Sequence, residues 1–251
     1  MSTSTELAGR TALVTGATAG IGRSVAVQLA ERGAAVVVHG RDPRRGAEVV
    51  AEITGRGGTA RFVSADLTDP GEVARLAAEA GEVDILVNNA GVYEFTSTPG
   101  TSAAAFDRHV AINTRAPFLL VGALAPAMAK RGYGQIVNVT STAGTAVAPV
   151  GTAYGASKAA TELLTRSWAT EFGAGGVRVN GVSPGPTRTD GTEQMLGENI
   201  DALGARTNVR GRIGEPEEVA NVVLFLIDDR SSYINGTVVA VHGGELSTLP
   251  G

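Results

Sequence analysis

The run Thr11-Ala-Leu-Val-Thr-Gly-Ala-Thr-Ala-Gly-Ile-Gly22 passes from a short apolar stretch through three glycines into a helix-length segment. Glycines at 16, 20 and 22 let the backbone turn tightly, and the segment that follows turns the positive end of a helix toward anything bound at the loop. Between a strand and a helix, such a loop suits the pyrophosphate of a nucleotide; an ordinary strand-to-helix connection is the competing reading.

The same alternation continues outward from this run. Val/Ile-rich stretches at Thr11–Thr15, Ala35–His39, Ala60–Ser64, Asp84–Val87, Gln135–Thr140, Val177–Val182 and Thr237–Val241 predict strands. They are apolar on both faces, as in a parallel sheet covered on both sides. Helices are predicted over roughly 20–32, 43–55, 69–80, 103–130, 152–173 and 215–228. Asp42-Pro43 and Asp69-Pro70 each place an N-cap before a proline at the first helical position, and Glu72 completes a capping-box pattern after Asp69. No polar linker or fixed repeat interrupts the order. Residues 1–251 therefore read as one α/β domain, doubly wound in the Rossmann manner, with a seven-stranded, mostly parallel sheet between helical layers. Only 183–214 breaks the rhythm. Rich in Pro, Gly, Thr and charge, it suggests a substrate lid, placed at 186–210, that orders over bound ligand.

Composition excludes several classes. The 251 residues are 43% hydrophobic and 18% charged, enough for a sizeable core and too apolar for a disordered chain. A net charge of −4 and a pI of about 5.5 argue against nucleic acid as a partner. The chain has no cysteine, and His39, His109 and His242 lack metal-ligand spacing, so no metal is expected. With no signal-like N-terminal core and no apolar run near ~18 residues, a cytoplasmic protein without a membrane partner is expected.

Further motifs stand in order along the chain. Asn88-Asn-Ala-Gly91 follows the fourth predicted strand and Ser141 closes the fifth; Tyr154-Gly-Ala-Ser-Lys158 lies on a predicted helix, and Pro184-Gly-Pro-Thr-Arg-Thr189 follows the sixth strand. With Thr15–Gly22 they resemble the short-chain dehydrogenase/reductase family from about Leu7 to Gly244, closest to its 3-oxoacyl-carrier-protein reductase-like group. Asn113 falls in the long helix where that family places an asparagine. The resemblance implies an oxidoreductase that reversibly reduces a carbonyl to an alcohol by hydride transfer from NAD(P)H. Tyr154 would be the general acid/base and Ser141 would hold the carbonyl oxygen. Lys158 would hold the ribose hydroxyls, and Asn113 would position a water toward Lys158. Cofactor contacts are implied at Gly16, Thr18, Ala19, Gly20, Ile21, Gly22, Arg41, Asp66, Leu67, Asn88, Ala90, Gly91, Tyr154, Lys158, Pro184, Gly185, Thr187 and Thr189, with Asp66 at the adenine amine and Thr189 at the carboxamide.

Elementary chemistry supports the tetrad. Tyr154 and Lys158, four apart on a helix, share a face. A free phenol titrates near 10, and a neighbouring ammonium is expected to draw that value down. A non-catalytic dinucleotide sensor on the same fold is the competing reading; it would be expected to lose part of the Asn/Ser/Tyr/Lys set, which this chain keeps. His39 and His109 read as structural, and Trp168 as core or subunit contact. His242 departs from the aspartate common in the family at that point.

Cofactor choice rests on the end of the second strand. Enzymes preferring NAD usually carry an acid there for the ribose hydroxyls. Here that position is Gly40, followed by Arg41, which suits a 2′-phosphate, while Asp42 reads as a helix cap. NADPH/NADP+ is therefore expected over NADH/NAD+, although Ala19 replaces a second basic residue found in many NADP-preferring relatives. Tyr93, Phe95, Val147, Val150, Met195 and Leu196 are expected around a small-molecule carbonyl or alcohol. Lys130-Arg131 offers one basic patch for an acidic carrier protein; Gly173-Ala-Gly-Gly176 offers none at the second. The Ala-rich segments 103–130 and 152–173 are expected to pair between subunits of a D₂ homotetramer.

Overall fold

The computed structural model describes residues 6–146 and 151–245. Among them, β1 (Thr11–Val14), β2 (Ala35–Gly40), β3 (Thr59–Ser64), β4 (Ile85–Asn88), β5 (Gly134–Val139), β6 (Val177–Pro184) and β7 (Val238–Val241) form one sheet ordered β3-β2-β1-β4-β5-β6-β7. Every pairing is parallel, with Val14 beside Val38 on one side and Val87 on the other. Strand order reverses between β1 and β4, and a parallel sheet opens a crevice there, beyond its carboxyl ends. All residues of β4, β5 and β6 are buried, whereas the edge strands β3 and β7 are half-exposed. This is why the central strands read as continuous apolar runs.

Helices cover both faces. Leu29 of α1 (Gly20–Glu31), Ile53 of α2 (Pro43–Gly55) and Leu224 of α9 (Pro216–Ile227) pack on one face. Leu76 of α3 (Pro70–Ala80), Leu120 of α5 (Ala116–Arg131) and Trp168 of α6 (Thr152–Phe172) pack on the other. The predicted helix 103–130 is continuous from Ala103 to Arg131, but only its ends are ordinary α-helix. α4 (Ala103–Val110) widens into a π turn over Ala111–Arg115 before α5 begins. Its apolar length would suffice to cross a membrane, yet half of it is buried in the protein, against the sheet and α3, so it is a core helix.

Local chemistry sets the boundaries. The Asp42 carboxylate accepts from the N–H groups of Arg44 and Arg45, and Asp69 caps Gly71. The capping box expected from Glu72 does not form: the Asp69 N–H already donates to Asp66 O, and Glu72 pairs with Arg75 instead. Capping boxes occur at Thr189/Thr192 and Glu215/Glu218. Buried Arg178 of β6 donates to the carbonyls of Ile227, Asp228, Ser231 and Ile234, where α9 ends and the chain turns toward β7.

Segment 186–210 is more ordered in pattern than its sequence suggests. It folds into α7 (Asp190–Leu196) and α8 (Ile200–Thr207), joined by a 3₁₀ turn. Arg188 pairs with Glu193, Asp201 and Glu215, tying both helices to the start of α9.

Candidate active site

A cleft of about 830 Å³ lies at the switch point, lined from the glycine loop, the ends of β2 and β3, the β4 loop, α6 and the α7–α8 segment. Gly16 and Gly20 take left-handed backbone, with φ of 63° and 51°. A Cβ on Gly16 would lie 2.8 Å from Ala90 Cα, and one on Gly22 would lie 2.3 Å from Gly16 O. Gly22 thus packs helix against loop, while Gly16, Thr18, Ala19, Gly20 and Ile21 line the cleft. No side chain caps α1 at Ala19, so its first N–H groups remain available to a phosphate.

This loop is held from two directions. Thr15 Oγ1 donates to Val87 O and accepts from the N–H groups of Asn89 and Ala90, while Asn89 Nδ2 donates to Thr15 O and Gly16 O. His39 Nδ1 accepts from Gly16 N–H at 3.2 Å, so Nε2 carries the proton and donates to Ala65 O at 3.1 Å. Burial lowers the His39 pKa to about 4, keeping the ring neutral and this tautomer in place. A tight cradle, an uncapped helix start and rigid walls fit a dinucleotide.

On the adenosine side stand Gly40, Arg41, Arg45, Ala65, Asp66 and Leu67. Asp66 Oδ1 accepts from both Thr68 N–H and Thr68 Oγ1, which hold its carboxyl below the usual range; it is a turn cap as well as a cleft wall. Arg45 in the first turn of α2, unremarked in the sequence, reaches Asp190 of α7. Asn88 is placed elsewhere than expected. Its Nδ2 donates to Asn138 Oδ1 inside the sheet, and it is the neighbouring Asn89 that lines the cleft. Ala90, Gly91, Pro184, Gly185, Thr187 and Thr189 line it as well.

At the other end, Tyr154 and Lys158 face the cleft from successive turns of α6, with Lys158 Nζ 5.9 Å from the Tyr154 ring centre. Ser141 follows β5 and is a hydrogen-bond partner of the Tyr154 hydroxyl. The tyrosine is not drawn down as expected. Burial outweighs the Ser141 bond and raises its pKa, and burial lowers Lys158 to about 8. Lys158 donates to Val139 O at 2.8 Å rather than to the phenol. Asn113 sits in the π turn; its side chain binds both the N–H and carbonyl of Val92 and donates to Ser157 Oγ. Its own carbonyl accepts from Thr161 Oγ1.

Tyr93, Phe95 and Tyr154 form an aromatic cluster with ring centres 5.9–6.3 Å apart. The Tyr93 hydroxyl bonds the Thr189 side chain and occupies the space that a Cβ on residue 191 would take, so Gly191 leaves room for it. Met195 also borders this space. Val147, Val150 and the Leu196 side chain, expected beside them, lie outside the described residues.

A family model described as enoyl-(acyl carrier protein) reductase matches residues 16–245. A solved short-chain dehydrogenase/reductase family protein is 49% identical, with a TM-score of 0.91 over 97% of this chain and all of the other. The chain belongs to the short-chain dehydrogenase/reductase family. Cyclopentanol dehydrogenase from Comamonas sp. is 38% identical across 92% of this reductase and 95% of its own length. The 3-oxoacyl (acyl-carrier-protein) reductase of Agrobacterium tumefaciens C58, solved with NADP bound, is 34% identical with a TM-score of 0.90, covering 95% of each chain. Like its family, this short-chain dehydrogenase/reductase is an oxidoreductase that interconverts carbonyl and alcohol with NADP(H) or NAD(H).

His242 of this reductase caps the turn that follows it. Its Nδ1 accepts from the N–H groups of Gly244 and Glu245, the turn-capping task a carboxylate could perform.

Proposed function

We propose that this reductase uses NADPH in preference to NADH to reduce an uncharged carbonyl compound, with Tyr154 donating the proton. The observation that carries the reading is the convergence of Tyr154, Ser141 and Lys158 on one wall of the cleft, the phenol held protonated by burial. When bound, a nicotinamide cofactor would supply the hydride for the carbonyl carbon. The Tyr154 hydroxyl gives its proton to the carbonyl oxygen, and Ser141 Oγ donates a hydrogen bond to the same atom. A raised pKa keeps the proton on the phenol at neutral pH, and the alkoxide developing on the carbonyl oxygen is the stronger base that takes it. Lys158 holds the ribose hydroxyls and, charged below about pH 8, steadies the phenolate left behind. Asn113 is a positioning residue that fixes Val92 and Ser157.

The cofactor preference is supported by Gly40, which brings no carboxylate to the cleft, and by Arg41 beside it. Asp42 is occupied as the α2 cap. A Cβ on residue 40 would meet Thr18 Cγ2 at 2.5 Å, so Gly40→Asp shifts preference to NADH only as Thr18 turns aside. The substrate reading is supported by charge. Apart from Lys158, the Lys and Arg side chains among the described lining residues are Arg41 and Arg45, both at the adenosine end. Tyr93, Phe95, Met195, Leu203 and Ile213 are apolar or aromatic lining, and the cation among the described residues at the catalytic end is Lys158, which donates to Val139 O. A carrier-protein substrate is less well served, because Arg131 of the basic patch folds back to donate to Val83 O and to pair with Asp84.

In the same proposal α7 and α8, within 186–210, act as the lid of a single domain, and the enzyme is a cytoplasmic homotetramer. Exposed Phe106, Val110 and Phe118 on the Ala103–Arg131 rod and Leu163 on α6 supply an apolar subunit contact. Initial rates with NADPH and NADH across cyclic ketones, keto acids and 3-oxoacyl thioesters test the chemistry. The highest kcat/KM is expected for an uncharged ketone with NADPH; a keto acid in first place, or parity with NADH, would replace the reading.

A further inference from the structure

Arg45 occupies the first turn of α2, close to Arg41 in the chain and on the wall of the same cleft. Its Nη2 stands 2.5 Å from Oδ2 of Asp190, the first residue of α7, which also lines the cleft. The pair joins residues 145 apart in the chain. The nearer acid, Asp42, receives only the main-chain N–H groups of Arg44 and Arg45, so it makes no claim on the guanidinium. Among the described residues, Arg45 Nε and Nη1 carry no hydrogen bond, leaving most of a planar fork directed at no protein acceptor. Both partners are solvent-accessible, with side chains 37% and 57% exposed, and an ion pair in that setting is readily exchanged for a better anion.

We propose that Arg45 is a second ligand for the cofactor 2′-phosphate, and that Asp190 competes with the phosphate for its guanidinium. Resting on the NADPH reading above, it identifies where the second positive charge comes from. The glycine loop has Ala19 and supplies none; the first turn of α2 supplies it instead. A guanidinium binds a phosphate through two parallel charge-assisted bonds, stronger than a carboxylate contact open to water. Arg41 and Arg45 would then both meet the phosphate, one from just past the end of β2 and the other from the first turn of α2. The Asp190 carboxylate opposes that anion at a distance, and so restrains discrimination between the two cofactors.

Dissociation constants of NADPH and NADH, read from cofactor fluorescence, test this in the wild type, Arg45→Gln and Asp190→Asn. Arg45→Gln is expected to weaken NADPH about tenfold while NADH stays within twofold; the retained NADH affinity also reports an intact fold. Asp190→Asn is expected to tighten NADPH severalfold and leave NADH unchanged. Equal loss of both cofactors in Arg45→Gln, or no loss of either, overturns the role of Arg45, and weaker NADPH binding in Asp190→Asn overturns the competition. A wild-type enzyme that binds NADH as tightly as NADPH removes the cofactor reading itself. Discrimination that survives Arg45→Gln removes Arg45 alone.

Discussion

At the catalytic end of the cleft Lys158 is 5% exposed, donates to Val139 O and is pushed down to about pKa 8; at the adenosine end the Arg45 side chain is 37% exposed and meets only a carboxylate in water. Both ends work with charge, but in different media. Burial sets proton affinities, so chemistry is tuned where water is excluded. Exposure leaves charges hydrated and exchangeable, so the proposed cofactor choice falls where anions can compete. His39 belongs to the first regime although it stands beside the glycine loop: its ring is buried, neutral and part of the wall.

The sharpest way to break that contrast is at the phenol. Tyr154→Phe removes only the transferable proton, and kcat is expected to fall by roughly 10²–10⁴ while NADPH still binds; near-normal turnover would take Tyr154 out of the chemistry. Next comes His39, whose folded pKa of about 4 lies below the ordinary 6.5. The unfolded chain takes up that proton first, so stability is complete above about pH 6.5 and falls as pH drops toward about 4. The expected loss is up to about 3 kcal/mol by urea titration, flattened in His39→Gln. An equally steep curve in the variant would show that the ring is not what acid attacks.

A smaller effect is expected from Lys158. Its ammonium is lost as pH rises through about 8, so kcat/KM for reduction should decline about tenfold by pH 9. In Lys158→Met the remaining activity should lack that step; a retained step would assign it to another group. The smallest effect belongs to the exposed end. Asp42→Ala deletes a cap and should cost about 1 kcal/mol of stability by denaturation, with the NADPH-to-NADH ratio unchanged. A shift in that ratio would place the carboxylate on the ribose after all.

What could be read along the chain is what depends on near neighbours. The strand at Thr11–Val14, the glycine loop, the Tyr154/Lys158 spacing and the Asp42 cap are each fixed within a few residues, and all stand where the sequence puts them. Contacts made by distant segments leave no such trace. Nothing near Arg45 announces Asp190, and the choice between Asn88 and Asn89 depends on the pleat of β4 against β5. The direction of the Tyr154 shift was also out of reach, since its burial is supplied partly by Tyr93 and Phe95 from another loop. α7 is too short for a clear apolar period, although Thr189 and Thr192 at cap spacing, with Asp190 and Glu193 in the first turn, mark its start.

Arg178 fastens the edge of the sheet with a buried cation rather than with apolar surface. β7 is short and half-exposed, the kind of strand that frays by itself. To leave, however, it must carry the turn after α9 with it, because Asn180 holds Ile234 O and Thr237 N–H while Arg178 holds Ile227, Asp228, Ser231 and Ile234. Opening that turn would strand a guanidinium among unpaired carbonyls. The stretch from α9 to β7 is thereby made into one cooperative block, and the amide hydrogens of β7 should exchange at the pace of α9 rather than at the pace of an edge.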